Sequence, residues 1–291
     1  MKQFYFLIPI LLLLSHCARP IAQLQAPREA RAGELVSFTN ESREAASYSW
    51  DFGDGNNSTA ENPEHRFLKS GDYQVILTAT NAEGRSKSKR QQISILPPER
   101  CLVYIETSEG NMVAELYDET PQHQDNFTKL VDESFYDNLL FHRVIDGFMI
   151  QGGDPNSRGA EANARLGMGG PGYMVPAEFN PNLVHKRGAL AAARNNNPER
   201  SSSGSQFYIV DGRAVDDSQL NRQESEFDFR YSTETRDLYK EIGGTPFLDM
   251  NYTVFGQVID GLEVIDLITA KPTNGSDRPR EDVWMKISMI R

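Results

Sequence analysis

The chain is 291 residues long, 38% hydrophobic and 24% charged, with a formal net charge of −11. That length suits one large domain joined to a smaller one. So acidic a chain excludes nucleic acid and anionic lipid headgroups as main partners, because phosphate repels it.

Lys2 precedes an apolar run from Phe4 to Leu14 that is broken only by Pro9. The run is about half of the ~20 residues a spanning helix needs, so it reads as the apolar region of a signal peptide. Leu14-Ser15-His16-Cys17 follows directly and resembles the lipobox of bacterial lipoproteins, with His16 where a small residue is usual. The resemblance implies a lipoprotein-type signal peptide over residues 1–17, lipidation at Cys17, and the membrane as a partner through that lipid. An ordinary cleaved signal peptide with an incidental cysteine is the alternative. No acidic residue directly follows Cys17. By analogy with lipoprotein sorting, the expected location is the bacterial cell envelope, at the periplasmic face of the outer membrane. With Cys17 so committed, Cys101 is left without a partner and no disulfide framework is expected.

Residues 18–27 carry no apolar periodicity and read as a stalk. From 28 to 96 the pattern is that of a small β-sandwich. Glu34–Phe38 and Ser47–Phe52 alternate bulky and polar residues, as half-buried strands do. Asp72–Thr80 and Gln92–Leu96 supply further strands, with no helical stretch between them. Trp50-Asp51-Phe52-Gly53-Asp54-Gly55, His65-Arg66-Phe67 and Gly71-Asp72-Tyr73-Gln74-Val75 resemble a PKD domain, an Ig-like sandwich. Trp50 is expected in its core, and the Asp-Gly repeat is turn chemistry. The domain reads as a spacer or protein-contact module, with glycan or metal contact through the acidic turn as the alternative.

Pro97–Arg100 is a stiff break and marks the domain boundary. The second domain, 101–291, opens with a hairpin, Leu102–Thr107 and Asn111–Tyr117 about Ser108-Glu109-Gly110. A helix follows, with Thr120 as N-cap, Pro121 at its first position and an apolar stripe of Phe127, Leu130 and Val131. Arg143 then stands among strand-forming apolar residues, although a guanidinium cannot shed its charge to enter a core. Alternation puts Met149 and Gln151 on one face and Phe148 and Ile150 on the other. It does the same for Gln206 and Tyr208 against Phe207 and Ile209. Gly188–Arg194 is a strand of small residues that could lie under a bound peptide.

Phe141-His142-Arg143-Val144, Gly147-Phe148-Met149-Ile150-Gln151-Gly152-Gly153-Asp154, Gly204-Ser205-Gln206-Phe207-Tyr208-Ile209 and Tyr252-Thr253-Val254-Phe255-Gly256-Gln257-Val258 together resemble cyclophilin closely, from about Leu102 to Ile290. The resemblance implies a mainly β protein whose second domain is an eight-stranded antiparallel barrel capped by two helices, near Thr120–Glu133 and Leu262–Ala270. It implies a peptidyl-prolyl cis/trans isomerase acting on proline-containing segments, here of exported proteins, with Arg143 as the catalytic group. The substrate-binding residues it implies are Phe148, Met149, Gln151, Ala193, Arg194, Gln206, Tyr208, Phe247, Leu248 and Tyr252. Among them Gln151 would orient Arg143, Phe148, Met149 and Tyr208 would wall the proline ring, and the Ala193–Arg194 backbone and Gln206 would bind flanking peptide. Arg194 stands where an asparagine is usual, Phe247 replaces a tryptophan and Tyr252 a histidine.

No cofactor, metal or nucleophile is expected. The five histidines, His16, His65, His123, His142 and His185, lack metal-ligand spacing. Amide rotation needs no general base, so His142 reads as structural. The glycines of 167–172 lack the Lys-Ser/Thr of a phosphate loop. A charged insertion, 211–246, with helical turns near Leu220 and Leu238–Ile242, reads as a solvated surface excursion, a substrate- or partner-contacting flap being the alternative. The competing functions are a proline-segment binding module and a cell-envelope scaffold, each with little catalysis. Since Phe247 lacks the indole N–H that helps hold cyclosporin in the family, that drug is expected to inhibit weakly in a peptide isomerisation assay; nanomolar inhibition would contradict this.

Overall fold

The computed structural model describes residues 19–291; the signal-like segment and Cys17 lie outside the described residues. Two compact units are present, one holding residues up to Phe67 and Gly71–Leu96, the other Leu68–Ser70 and Pro97–Arg291.

In the first unit a five-stranded sheet runs in the order Glu29–Arg31, Ser86–Leu96, Gly71–Thr80, Ser47–Asp51, Asn57–Ser58. Leu35–Ser37 pairs with Glu64–Arg66 in a smaller sheet. The long central hairpin is antiparallel from Gly71↔Ile95 to Thr80↔Ser86. Its inward residues, Val75, Leu77, Ala79 and Ile93, join Val36, Phe38, Trp50, Phe52 and Phe67 in the core. Trp50 keeps its one donor satisfied inside by giving Nε1–H to the Ala60 carbonyl at 3.0 Å. In the acidic turn, Gly53 has φ +82° and a Cβ there would meet the Gln74 carbonyl at 2.9 Å, so glycine is required. The Asp54 carboxylate is engaged locally, 2.7 Å from His65 Nε2 and 3.1 Å from Asn56 Nδ2.

The second unit is a barrel of nine strands: β1 Leu102–Thr107, β2 Gly110–Leu116, β3 Leu139–Leu140, β4 Arg143–Ile145, β5 Met149–Gly152, β6 Ala189–Ala192, β7 Phe207–Val210, β8 Val254–Asp260 and β9 Trp284–Ile290. They lie in the order β3-β9-β1-β2-β8-β6-β7-β5-β4. The two end strands are consecutive in sequence, separated by Phe141 and His142 alone. Taken as one interrupted strand, β3 and β4 close the sheet on itself and give eight antiparallel staves, which removes both exposed edges.

The interior is filled by Val103, Ile105, Leu116, Val144, Ile150, Leu190, Phe207, Ile209, Phe255 and Ile287. Helix α1, Pro121–Asp132, presses Phe127 onto Tyr136, Phe207 and Phe255 at ring-centroid distances of 4.9, 5.4 and 5.2 Å. The expected Thr120 cap is not made: its hydroxyl turns back to the Tyr117 carbonyl. The free N–H groups of the first turn are instead taken by Glu178, which accepts from Gln122 and His123 at 3.1 and 3.0 Å. A carboxylate is the better partner there because it also meets the positive end of the helix dipole.

The insertion differs from the solvated excursion expected of it. It folds into α2, Asp217–Phe227, and α3, Thr233–Ile242. Leu220, Tyr231 and Tyr239 are buried with Val184 and Val215 in a cluster of their own. Most of its charges, Asp211 and Glu224 excepted, sit on the outer faces, which is what made the stretch look solvated. Helix α4, Glu263–Thr269, sends Val264, Ile265 and Ile268 into the barrel interior. Phe127→Ala would empty a ring site in that core and should cost about 3–5 kcal/mol. A denaturant titration of the full chain measures this, and a loss under about 1 kcal/mol would mean the capping helix is not part of the cooperative core.

Candidate active site

Strand period and register bring the groove together. Arg143 on β4 pairs with Gln151 on β5, Gln151 with Tyr208 on β7, and Tyr208 with Ala191 on β6. Since Val144, Ile150, Phe207, Ile209 and Leu190 point into the barrel, every member of this row points out. Arg143 therefore obeys the same parity as Gln151. Met149, two residues before Gln151, stands on the same outer face, and Ala189, Ala191 and Ala193 form a low floor beside it.

A pocket of about 120 Å³ opens on this face, lined by Arg143, Phe148, Met149, Gln151, Ala193, Arg194, Tyr208, Leu248 and Tyr252. Each is a residue the sequence singled out. The other two flank it. Phe247 is 58% exposed, its ring centroid 5.7 Å from that of Phe148. Gln206 lines a wider adjoining cleft that shares Gln151, Ala193 and Arg194 with the pocket and is roofed by the 167–172 glycine loop.

The polar groups are held in definite places. Arg143 Nε lies 3.5 Å from Asp277 Oδ2, with both side chains over two-fifths exposed, so the pair is solvent-screened and leaves the guanidinium free to turn to a ligand. Gln151 meets another partner, giving Nε2–H to Gln206 Oε1 at 3.2 Å. Gln206 passes Nε2–H to the Gly169 carbonyl at 2.7 Å. That carbonyl is fixed in turn, for the buried Asp154 carboxylate accepts from the backbone N–H of Gly167, Met168 and Gly169 at 2.5, 3.2 and 3.2 Å. The glycine loop thus closes around a protein carboxylate, and a Cβ on Gly169 would sit 2.1 Å from Asp154 Oδ1.

Arg194 contributes more than the backbone expected of it. Its guanidinium lies 4.7 Å above the Tyr252 ring and donates to the Asn251 carbonyl and Oδ1 at 3.0 and 2.6 Å, adding a cationic, stacked segment to the pocket wall. Burial pushes the Tyr208 phenol well above its ordinary value, so its hydroxyl stays protonated. Burial also pulls His142 below its ordinary value, against the opposing pull of Asp154. Asp154, Asp277, His185 and Asp249 were not read as site residues from sequence. Asp154 ends one of the quoted motifs, but its role depends on the loop 13–15 residues further on; the other three meet partners 64 residues or more away, and no local pattern marks them.

The fold and this groove define a closed barrel with a pocketed outer face. The family model for cyclophilin type peptidyl-prolyl cis-trans isomerase/CLD matches residues 102–289, and that for the PKD domain matches residues 17–95. The chain belongs to the cyclophilin-type peptidyl-prolyl cis-trans isomerases and carries a PKD domain ahead of the isomerase domain. A putative bifunctional phosphatase/peptidyl-prolyl cis-trans isomerase of Streptococcus pyogenes is 38% identical over 62% of this chain and 37% of its own length. A putative peptidyl-prolyl cis-trans isomerase of Staphylococcus aureus is 37% identical over 62% of this chain and 87% of its own. A solved cyclophilin type isomerase of Cryptosporidium parvum is 26% identical over 65% of this chain and 97% of its own, with a TM-score of 0.49. This chain thus spans about a third of the streptococcal protein and most of the staphylococcal one.

His142 gives the site a pH signature. Its folded pKa lies below the usual 6.5, so as pH falls through 6.5 the unfolded chain takes up a proton that the folded chain refuses. Stability is unaffected by this group above that range and is lost on acidification. The unfolding midpoint should fall between pH 7 and 5, and less steeply in His142→Asn; equal slopes would contradict the buried neutral imidazole.

Proposed function

We propose that the barrel domain catalyses prolyl isomerisation in exported client proteins, with Arg143 stabilising the twisted amide. A prolyl C–N bond resists rotation by ~18–20 kcal/mol because of its partial double-bond character. Midway through rotation that resonance is lost and a lone pair localises on the prolyl nitrogen. A guanidinium beside the nitrogen donates to it there and has less to donate to in either planar state. The transition state is therefore bound more tightly than the ground states. No proton changes owner and no covalent bond is made.

The observation that carries this is the seat of Arg143, a weakly paired guanidinium on the rim of an apolar pocket sized for a small ring. Phe148, Met149 and Tyr208 would wall the proline ring, with Leu248, Tyr252 and Phe247 extending the apolar side. Gln151 and Gln206 would take backbone groups of the bound peptide, and Ala193 and Arg194 would run alongside it. In an NMR exchange experiment with a short Ala-Pro peptide, the chain should speed isomerisation and Arg143→Ala should lower the rate by about a hundredfold, ~2.7 kcal/mol of barrier. Slow exchange in the parent despite peptide binding would favour a proline-segment binding module.

The anchoring reading extends this. Among the described residues no helix is long and apolar enough to cross a membrane. Lipid on Cys17 would hold the protein to the cell envelope, at the periplasmic face of the outer membrane, and the PKD unit would serve as spacer or protein contact. Cys17→Ser should move the protein from the membrane to the soluble fraction, whereas an unchanged distribution would contradict lipid anchoring. Protease shaving of intact cells should leave the protein whole if it faces the periplasm.

A further inference from the structure

The Tyr208 ring reaches through the wall of the pocket to a buried polar chain. Its hydroxyl lies 2.9 Å from His185 Nε2, and His185 Nδ1 lies 2.7 Å from Asp249 Oδ1. The backbone N–H of His185 gives a second bond to that oxygen at 2.8 Å. The other carboxylate oxygen, Oδ2, accepts from the hydroxyls of Tyr231 and Tyr239, each at 2.6 Å. Gln223 Nε2–H donates to the Asp249 carbonyl at 2.8 Å. All six side chains are buried.

The direction of this chain follows from its end. A carboxylate only accepts, so the proton of that contact sits on His185 Nδ1, and the Tyr208 hydroxyl meets the opposite ring nitrogen, Nε2. Tyr231, Tyr239 and Gln223 all belong to the insertion, and none of them lines the pocket. Leu248, which does line it, immediately precedes Asp249. The short turn that carries it is closed by Leu248 N–H to the Thr245 carbonyl and Asp249 N–H to the Pro246 carbonyl, both at 3.0 Å. One carboxylate therefore ties together two parts of the pocket wall, Tyr208 through His185 and Leu248 through the backbone.

We propose that His185 and Asp249, clamped from behind by Tyr231 and Tyr239, are positioning residues that fix the Tyr208 ring and Leu248 against the substrate proline, and that the insertion 211–246 acts as the brace of the groove. This rests on the groove being the isomerase site. An anchored hydroxyl holds the far end of the ring, which packing at its edges alone does not. Catalysis that depends on gripping a ring while one bond rotates is sensitive to such placement, since misplacement by about 1 Å can cost a hundredfold.

The test uses the full chain and four variants, Tyr208→Phe, Tyr231→Phe, their double, and Arg143→Ala. Tyr231→Phe and Tyr208→Phe should each lower catalysed exchange of the Ala-Pro peptide by roughly tenfold, and the double variant no further than Tyr208→Phe alone, because both break one chain. Selectively labelled tyrosine should also show the Tyr208 ring resonances displaced in Tyr231→Phe, although residue 231 lies outside the pocket. Losses that multiply, or full activity in Tyr231→Phe, would overturn the brace. If Tyr231→Phe does not fold, Tyr208→Phe keeps the packed ring and removes only its anchor; unchanged activity there overturns the proposal equally. Arg143→Ala separates the two ideas: full activity in that variant would remove the groove as the active site and the brace with it, while its loss beside an unaffected Tyr231→Phe would remove the brace alone.

Discussion

A guanidinium keeps its charge in any environment a protein offers, so Arg143 must stand outside a barrel whose interior is packed with aliphatic and aromatic side chains. From that constraint the rest of the groove follows. Antiparallel pairing sets Gln151 and then Tyr208 beside it on the same face, and a register shift of one residue in β5 would turn Gln151 and Met149 into the core. The alternation that fills the barrel with Ile150, Phe207 and Ile209 is the same one that sets Met149, Gln151 and Tyr208 in the wall of the outer pocket. Core and site are two faces of one pattern, so the packing of the first fixes the geometry of the second.

Around this row the structure spends polar groups in an economical order. Neutral amides, Gln151 and Gln206, face the adjoining cleft and are held by one another and by a backbone carbonyl. Full carboxylates are kept behind them: Asp154 anchors the glycine loop and Asp249 anchors Tyr208 through His185. Neither carboxylate lines the pocket, and so neither draws the Arg143 charge into a tight internal pair. Asp277, the acid that does approach Arg143, does so at 3.5 Å and in solvent.

The parts of this arrangement that were legible in the sequence are those with short periods. Strand alternation over 149–151 and 206–209 gave the faces correctly, and the words around Arg143, Gln151 and Tyr208 pointed to the groove; Phe148, which parity placed with Ile150, precedes the strand and lines the outer pocket beside Met149 instead. The Trp50 core position and the sandwich strands were visible for the same reason. Long-range partners were not. Glu178 caps a helix that begins 57 residues before it, and Asp249 meets His185 across 64 residues; no window of sequence contains either pair. The insertion was misread because charges at 222, 226, 230, 234 and 241 dominate its composition, while the side chains it buries, among them Leu220, Gln223, Tyr231 and Tyr239, are widely spaced and find partners outside it, such as Val184 and Asp249. Arg194 was undervalued because its role depends on Tyr252 and Asn251, brought to it only by the fold.

Catalysis of the proposed kind requires a prolyl ring seated among Phe148, Met149 and Tyr208 with its nitrogen in reach of Arg143. A crystal structure of the chain with a bound Ala-Pro peptide tests it most directly. The ring should lie inside the pocket of about 120 Å³, with an Arg143 nitrogen roughly 3 Å from the prolyl nitrogen, at hydrogen-bonding distance. A peptide lying wholly in the adjoining cleft, or with its prolyl nitrogen turned away from the guanidinium, would contradict it.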